Sequence, residues 1–325
     1  MTELVRVVVM GAEQADPPPG IGVLDGHVDL RFAATREALA SSIVDAEVVF
    51  AWRANRELLP HVWGEARRLR WIHSASAGVD ALLFPELVES DVVLTNTRGV
   101  FDEAMAEYVI GFLLMFAKGL VGVVNRQRAH EWLHRETEPI AGRHLLVVGV
   151  GSVGGAIGRA GLAMGMEVRG VGRTSRPGDD VFGVVLGTDE LLEAVGWADA
   201  VVNVLPGSPS TRHVFDEAAF AAMRPSARFV NVGRGSTVDE TALAEALRAG
   251  RIAGAALDVF EEEPLPPESP LWDLPNVIVS PHMSGDVAGW KEAGVELFVE
   301  NLQRFLAGRP LRNVVDKRLG FVPGT

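Results

Sequence analysis

The 325-residue chain is 48% hydrophobic and 22% charged, has a formal net charge of -13 and contains no cysteine. This is a globular composition of a length that suits two domains. The acidic balance without a basic cluster argues against nucleic acid as a partner, and the absence of thiols excludes disulfides, thiolate chemistry and Cys-ligated metal.

The N-terminal text through Gly11 reads as a first buried strand rather than a leader segment. Short, mostly continuous apolar runs at Val5–Met10, Glu47–Phe50, Leu69–Ser74 and Val92–Thr95 predict parallel strands buried on both faces. Helical patterns at Thr35–Ala40 and Arg56–Arg67 lie between them, giving an α/β unit of flavodoxin-like type. One long helix is expected over Phe101–Leu120. The apolar run Tyr108–Val124 is interrupted by Lys118 and glycines, and reads as a buried core helix rather than a membrane span. A second α/β series follows, with strands at Arg143–Gly149, Glu167–Val171, Ala200–Val204, Ala227–Val232, Gly254–Asp258 and Val277–Ser280. Helices fit Val153–Met164, Asp189–Gly196, Asp216–Met223 and Asp239–Ala249, with Asp216 and Asp239 as N-caps. A closing helix over Val287–Leu306 is expected to return to the first domain. The fold class is therefore α/β, with two Rossmann/flavodoxin-like domains, parallel sheets and a cleft between them. Residues 1–98 with 287–325 form the expected substrate domain, and 99–286 the dinucleotide domain. The cytoplasm is the expected location, with no membrane partner.

The apolar strand His144–Val148 runs directly into Gly149, Val150, Gly151, Ser152, Val153 and Gly154, then into a helical pattern. A lone G-x-G-x-x-G is a weak signal in a chain with 35 glycines. Strand before, helix after and a second strand ending about 20 residues later make it specific to a dinucleotide pyrophosphate. Gly149 permits the tight turn, Gly151 the close approach of phosphate, and Gly154 the packing of helix on sheet. Free N–H groups at the helix start attract the anion. Where an NAD site usually places an acidic residue, this chain has Arg173, Thr174, Ser175 and Arg176. A guanidinium can bind a 2′-phosphate that a carboxylate would repel, so NADP(H) is expected to be preferred over NAD(H). The plainer alternative is a loop of solvated arginines.

Three further segments carry chemistry: Phe229–Gly235 with Arg234, Ala256–Pro266 with Asp258 and Glu263, and Ser280–Gly285 with His282. Arg234 and Asp258 fall at or just past strand ends, where open parallel sheets bind ligands. Negative charge builds on a carbonyl oxygen as hydride arrives. His282 can protonate it, Glu263 can hold that imidazole charged and oriented, and Arg234 can fix a substrate carboxylate. Taken singly, each has a structural alternative: a histidine after proline, an acidic run at Glu261–Glu263, an arginine between glycines. Their order after a dinucleotide turn is what gives them specificity.

With these segments the chain resembles the D-isomer-specific 2-hydroxyacid dehydrogenase family, over about Ala51 to Leu311. The matching text includes Ser76–Asp80, Glu103–Glu107, the glycine turn, Val204–Pro206, Val232–Gly235, Leu257–Val259, Glu263–Pro264 and Pro281–His282. The arginine-bearing loop is similar to the glyoxylate/hydroxypyruvate reductase branch. The resemblance implies Arg234, Glu263 and His282 as the catalytic trio. It implies that the backbone at Ala77, Gly78 and Val79 holds a substrate carboxylate together with Arg234 and His282. It implies cofactor contacts at Gly149, Gly151, Ser152, Val153, Gly154, Arg173, Thr174, Arg176, Leu205, Pro206, Thr211, Val232, Gly233, Asp258 and Gly285, with Asp258 near the nicotinamide carboxamide. It also implies no metal, a small 2-oxoacid substrate and a homodimer formed largely through the cofactor domain, including the long helix after Phe101. The chain departs from the family pattern at Arg98, where proline is common, and at Met283–Asp286 after the histidine. Trp52, Arg53 and Trp290 are candidates to line the pocket.

His130, Glu131 and His134 match H-E-x-x-H, the zincin signature. No third ligand follows at a suitable spacing, and a structural reading is preferred. A dinucleotide-sensing regulator without turnover is the remaining alternative, and the presence of all three catalytic residue types argues against it.

Overall fold

The computed structural model describes residues 4–53 and 56–323. They belong to two compact units, Met1–Phe101 with Val287–Thr325, and Asp102–Asp286.

In the first unit five parallel strands, β1 (Arg6–Met10), β2 (Asp29–Ala33), β3 (Val48–Ala51), β4 (Trp71–Ser74) and β5 (Val93–Thr95), form one sheet in the order β2-β1-β3-β4-β5. Successive side chains of a strand point to opposite faces, so each continuous apolar run feeds two cores. Val8, Met10, Val49 and Ile72 face one side, covered by Leu39 and Ile43 of α1 (Arg36–Ile43). Val7, Val9, Phe50 and Trp71 face the other, covered by Val295, Phe298 and Leu302 of the closing helix Trp290–Leu306. Phe298 stacks on Phe50 with centroids 4.2 Å apart. Strand β2 has no counterpart in the sequence reading. It is an edge strand, half-buried along most of its length, and its Asp29 and Arg31 join Arg6 in ion pairs that break the apolar run. The expected helix Arg56–Arg67 shortens to α2 (Leu58–Val62), followed by a 3-10 turn, and α3 (Pro85–Glu89) is added. The closing helix begins at Trp290, after Gly289 in the left-handed region (φ 87).

The second unit opens with α4 (Asp102–Lys118) and α5 (Leu120–Arg128). This corrects the single helix expected over Phe101–Leu120 and the buried reading of Tyr108–Val124. Gly119 adopts a left-handed conformation (φ 58) and the two helices diverge by 63°. Only α4 carries buried residues, Ala106, Val109, Phe112 and Leu113. No single helix among the described residues is long and apolar enough to cross a membrane. Strands β6 (His144–Val148), β7 (Glu167–Val171), β8 (Arg176–Pro177), β9 (Val184–Leu186), β10 (Ala200–Asn203), β11 (Arg228–Asn231), β12 (Gly254–Leu257) and β13 (Val277–Val279) make an eight-stranded sheet in the order β13-β12-β11-β10-β6-β7-β9-β8. All ladders are parallel except β8 with β9, two short strands absent from the sequence reading because neither offers a sustained apolar run. Helices α6 (Ser152–Ala163), α7 (Leu191–Trp197), α8 (Glu217–Ala222) and α9 (Glu240–Arg248) complete the unit. Asp216 and Asp239 cap α8 and α9, accepting from Ala219 and Ala242 N–H at 3.0 Å each. The strand order reverses between β6 and β10, the place where parallel α/β sheets open a ligand site at their C-terminal ends.

Candidate active site

Gly149 follows β6 with φ 110, a conformation that side chains rarely adopt, and a Cβ there would press on the Val204 carbonyl at the end of β10. A Cβ on Gly154 would run into the Gly149 carbonyl oxygen, so α6 can sit this close to the turn only with glycine. Above Gly151 the space is open. Gly151 is also the N-cap of α6 and supplies no side-chain cap, so first-turn N–H groups remain for an outside acceptor. Open space, orphan donors and a helix dipole together fit a pyrophosphate. Ser152 and Val153 form the first turn of α6; Leu205 and Pro206 follow β10; Val232 and Gly233 follow β11. Gly233 lies directly against the Leu205 backbone, so these loops meet at the same edge of the sheet. Thr211 closes its own loop, with its hydroxyl donating to the Pro206 carbonyl at 2.7 Å.

Beyond β7, Arg173, Thr174, Ser175 and Arg176 are exposed. The Ser175 hydroxyl donates to Glu190, and the Gly187 N–H donates to Ser175 Oγ at 3.0 Å, which ties the loop down. Arg176 pairs with Asp179 at 2.9 Å. The donors beside the expected ribose position are thus guanidinium and hydroxyl groups.

His282 Nδ1 lies 2.6 Å from Glu263 Oε2. Glu263 Oε1 accepts the Phe260 N–H at 2.9 Å, leaving both carboxylate oxygens occupied. The hydrogen bond that His282 donates to Glu263 holds the imidazole above its ordinary pKa, against the opposing effects of burial and of the Arg234 charge. For Glu263, burial alone would raise the pKa. The His282 hydrogen bond, the Phe260 N–H and the charges of His282 and Arg234 outweigh it and lower the value. His282 is half exposed, at 50%, so the far side of the ring can meet a ligand. Its backbone is left-handed (φ 52), a strained setting for a non-glycine residue that its surroundings must hold in place.

Asp258 supplies that hold. It is fully buried, its carbonyl accepts the His282 N–H at 2.8 Å, and its carboxylate accepts the Met283 and Ser284 N–H groups at 2.9 Å each and the Ser280 hydroxyl. Tyr108 on α4 reaches the same Ser280 hydroxyl at 3.1 Å. Asp258, expected beside a carboxamide, therefore clamps the loop that bears His282. Gly285 is the next residue of that loop.

Arg234 is held through a buried amide network that the sequence reading missed. Asn203 Nδ2 donates to Asn231 Oδ1 at 2.9 Å and to Thr237 Oγ1 at 2.6 Å, and Thr237 Oγ1 donates to the Arg234 carbonyl at 2.6 Å. Asn231 Oδ1 also accepts the Gly233 N–H at 3.1 Å. The signal was present as single asparagines closing the apolar cores of two strands, Val201–Val202 and Phe229–Val230.

In the first unit, Ala77, Gly78 and Val79 lie in the loop after β4. Asn96 Nδ2 donates to the Ala77 carbonyl at 2.5 Å, while the Val79 side chain is buried in the core. Trp52 and Trp290 stack with centroids 6.1 Å apart, and Phe101 lies 5.6 Å from Trp290. The H-E-x-x-H residues His130, Glu131 and His134 are exposed and outside any helix, so the i, i+4 geometry of a zincin is absent. No group of metal-ligating side chains occurs among the described residues.

The model of the "D-isomer specific 2-hydroxyacid dehydrogenase, NAD binding domain" matches residues 110–284. The chain belongs to the D-isomer-specific 2-hydroxyacid dehydrogenase family. As a member it is an oxidoreductase acting with a nicotinamide dinucleotide. Among curated relatives, a glyoxylate reductase of Thermococcus onnurineus is 32% identical over 93% of this chain and 94% of its own length. A D-3-phosphoglycerate dehydrogenase of Methanocaldococcus jannaschii is 31% identical over 90% of this chain, which spans only 56% of that protein. A solved NADPH-dependent glyoxylate/hydroxypyruvate reductase of Sinorhizobium meliloti, in complex with NADP and sulfate, superposes with a TM-score of 0.84 at 27% identity, covering 98% of this chain and 100% of its own.

Proposed function

We propose that this 2-hydroxyacid dehydrogenase reduces a small 2-oxoacid with NADPH to the D-2-hydroxyacid, with glyoxylate or hydroxypyruvate as the first substrates to test. The observation that carries the reading is the 2.6 Å contact between His282 and Glu263, with the imidazole pKa raised and the carboxyl pKa lowered. This pairing favours the protonated form of His282, the form that can donate to a developing oxyanion. The cofactor, when bound, supplies the hydride. His282 Nε2 donates its proton to the carbonyl oxygen as charge builds there, and Glu263 stabilises the imidazolium until transfer and fixes the ring's plane. Arg234 pairs with the substrate carboxylate and polarises the carbonyl. Arg173, Thr174 and Arg176 are the residues to hold a 2′-phosphate, and the relatives that bind NADP support that preference.

The proposed assembly is a homodimer. Leu120, Val121, Val123 and Val124 on α5 are more than two-fifths exposed and Trp132 is fully exposed, apolar side chains that a second copy would cover. Absorbance at 340 nm with each 2-oxoacid and each cofactor tests the reading directly. His282→Ala should lower kcat by roughly 10²–10⁴-fold while NADPH still binds. A near-normal kcat in that variant would remove the proton-donor role.

A further inference from the structure

The loop from Phe260 to Glu263 has three consecutive exposed carboxylates, which repel one another and would ordinarily leave the turn free to move. In this structure it is fixed. Glu240, the first residue of α9, accepts the Glu261 N–H through Oε1 at 2.6 Å. One residue back, the Phe260 N–H donates to Glu263 Oε1, and Glu263 Oε2 meets His282. On the far side the Glu261 carboxylate pairs with His213 and lies 4.0 Å from Arg212. Gly235, next to Arg234, presses so closely on the Phe260 and Glu261 backbone that any Cβ would collide with it. The turn bearing Glu263 is therefore set by the start of α9.

We propose that Glu240 is a positioning residue for the acid–base pair: it fixes the turn that aims Glu263 at His282. The inference rests on the proton-donor reading of His282. Glu240 is half-buried, and its carboxylate is engaged by the Glu261 N–H. The charged groups around it are Glu261 and Glu263 on the turn, His213 and Arg212 across Glu261, and Arg234 and His282 beyond Glu263. Burial, with added repulsion from Glu261 and Glu263, raises its pKa, and the Glu261 N–H opposes the rise. A protonated Glu240 still accepts that N–H through its carbonyl oxygen. The hydrogen bond, more than the charge, is thus what the turn requires.

The test compares Glu240→Met, which keeps bulk but loses a strong acceptor, with Glu240→Gln, which keeps the acceptor and loses the charge. In the full-length enzyme with NADPH and glyoxylate, Glu240→Met should lower kcat by about tenfold with little change in the KM for NADPH. Its alkaline limb of kcat against pH should move to lower pH, because a loosened Glu263 no longer holds the proton on His282. Glu240→Gln should stay within about twofold of the parent, with its alkaline limb in place. An unchanged kcat and limb in folded Glu240→Met, or a loss in Glu240→Gln as large as in Glu240→Met, overturns the proposal. If Glu240→Met does not fold, Glu240→Asp takes its place. The shorter carboxylate cannot reach the Glu261 N–H from the same helix position, and an unaltered kcat and limb there also overturn the proposal. His282→Ala measured alongside separates the two levels. Full turnover in that variant defeats the proton-donor reading, whereas a dead His282→Ala beside a normal Glu240→Met defeats only the role of Glu240.

Discussion

Buried His73 gives the sharpest quantitative prediction. The ring is 0% exposed on β4, among Phe50, Trp71 and Phe298 at centroid distances of 5.8, 5.9 and 5.5 Å. Nδ1 meets Thr95 Oγ1 at 2.7 Å, and that hydroxyl also accepts from Trp71 Nε1 at 2.8 Å. Nε2 has no hydrogen-bond partner among the described residues. Burial pushes the imidazole pKa from 6.5 down to about 3. The folded chain must therefore keep this ring neutral, while the unfolded chain takes up a proton below pH 6.5, so stability is complete above that pH and is lost as pH falls toward 3. Between pH 7.5 and 5.0 the difference amounts to about 2 kcal/mol, from roughly 1.4 kcal/mol per pH unit over about 1.5 units. The assay is urea unfolding of the ligand-free protein at both pH values, parent against His73→Leu, so that carboxylate titrations common to both cancel. The parent should lose about 2 kcal/mol more than the variant on acidification, although the variant starts about 1 kcal/mol lower at pH 7.5 for the lost Thr95 bond. Parallel losses in the two proteins would refute the claim that a neutral imidazole, bonded through Nδ1 alone, lies in this core.

Glu263→Gln should move the alkaline fall of reductive kcat to lower pH, because His282 loses the anion that raises its pKa. Profiles that superimpose would separate Glu263 from the proton donor. Arg173→Asp should lower the ratio of kcat/KM for NADPH to that for NADH by about tenfold or more, the scale of one charge-assisted contact turned repulsive. A parent enzyme that already prefers NADH would end the 2′-phosphate reading. Val121→Lys, a charge on the exposed face of α5, should shift the sedimentation equilibrium toward monomer, and an unaltered mass would place any interface elsewhere.

The dinucleotide turn was legible in the sequence because its determinants are contiguous. Strand, glycines and helix start follow one another from His144 to Gly154, and local backbone sterics dictate such a turn wherever it occurs. The residue types suited to ketone reduction, Arg234, Glu263 and His282, were legible for a similar reason, each in a loop that follows a strand marked by an apolar run. Their partnerships were not. Glu263 meets His282 across nineteen residues of chain because β12 and β13 are neighbours in the sheet and deliver their following loops side by side. The same sheet order buries Asp258 under the His282 loop, and the packing of α9 brings Glu240 to the Glu261 N–H. The break of the apolar helix at Gly119, the edge strand β2 and the neutrality of His73 likewise depend on what lies across space. A sequence pattern carries backbone preference and residue chemistry over short spans. Which donor meets which acceptor, and which charge is stripped of water, depends on long-range pairing, and only the folded chain decides it.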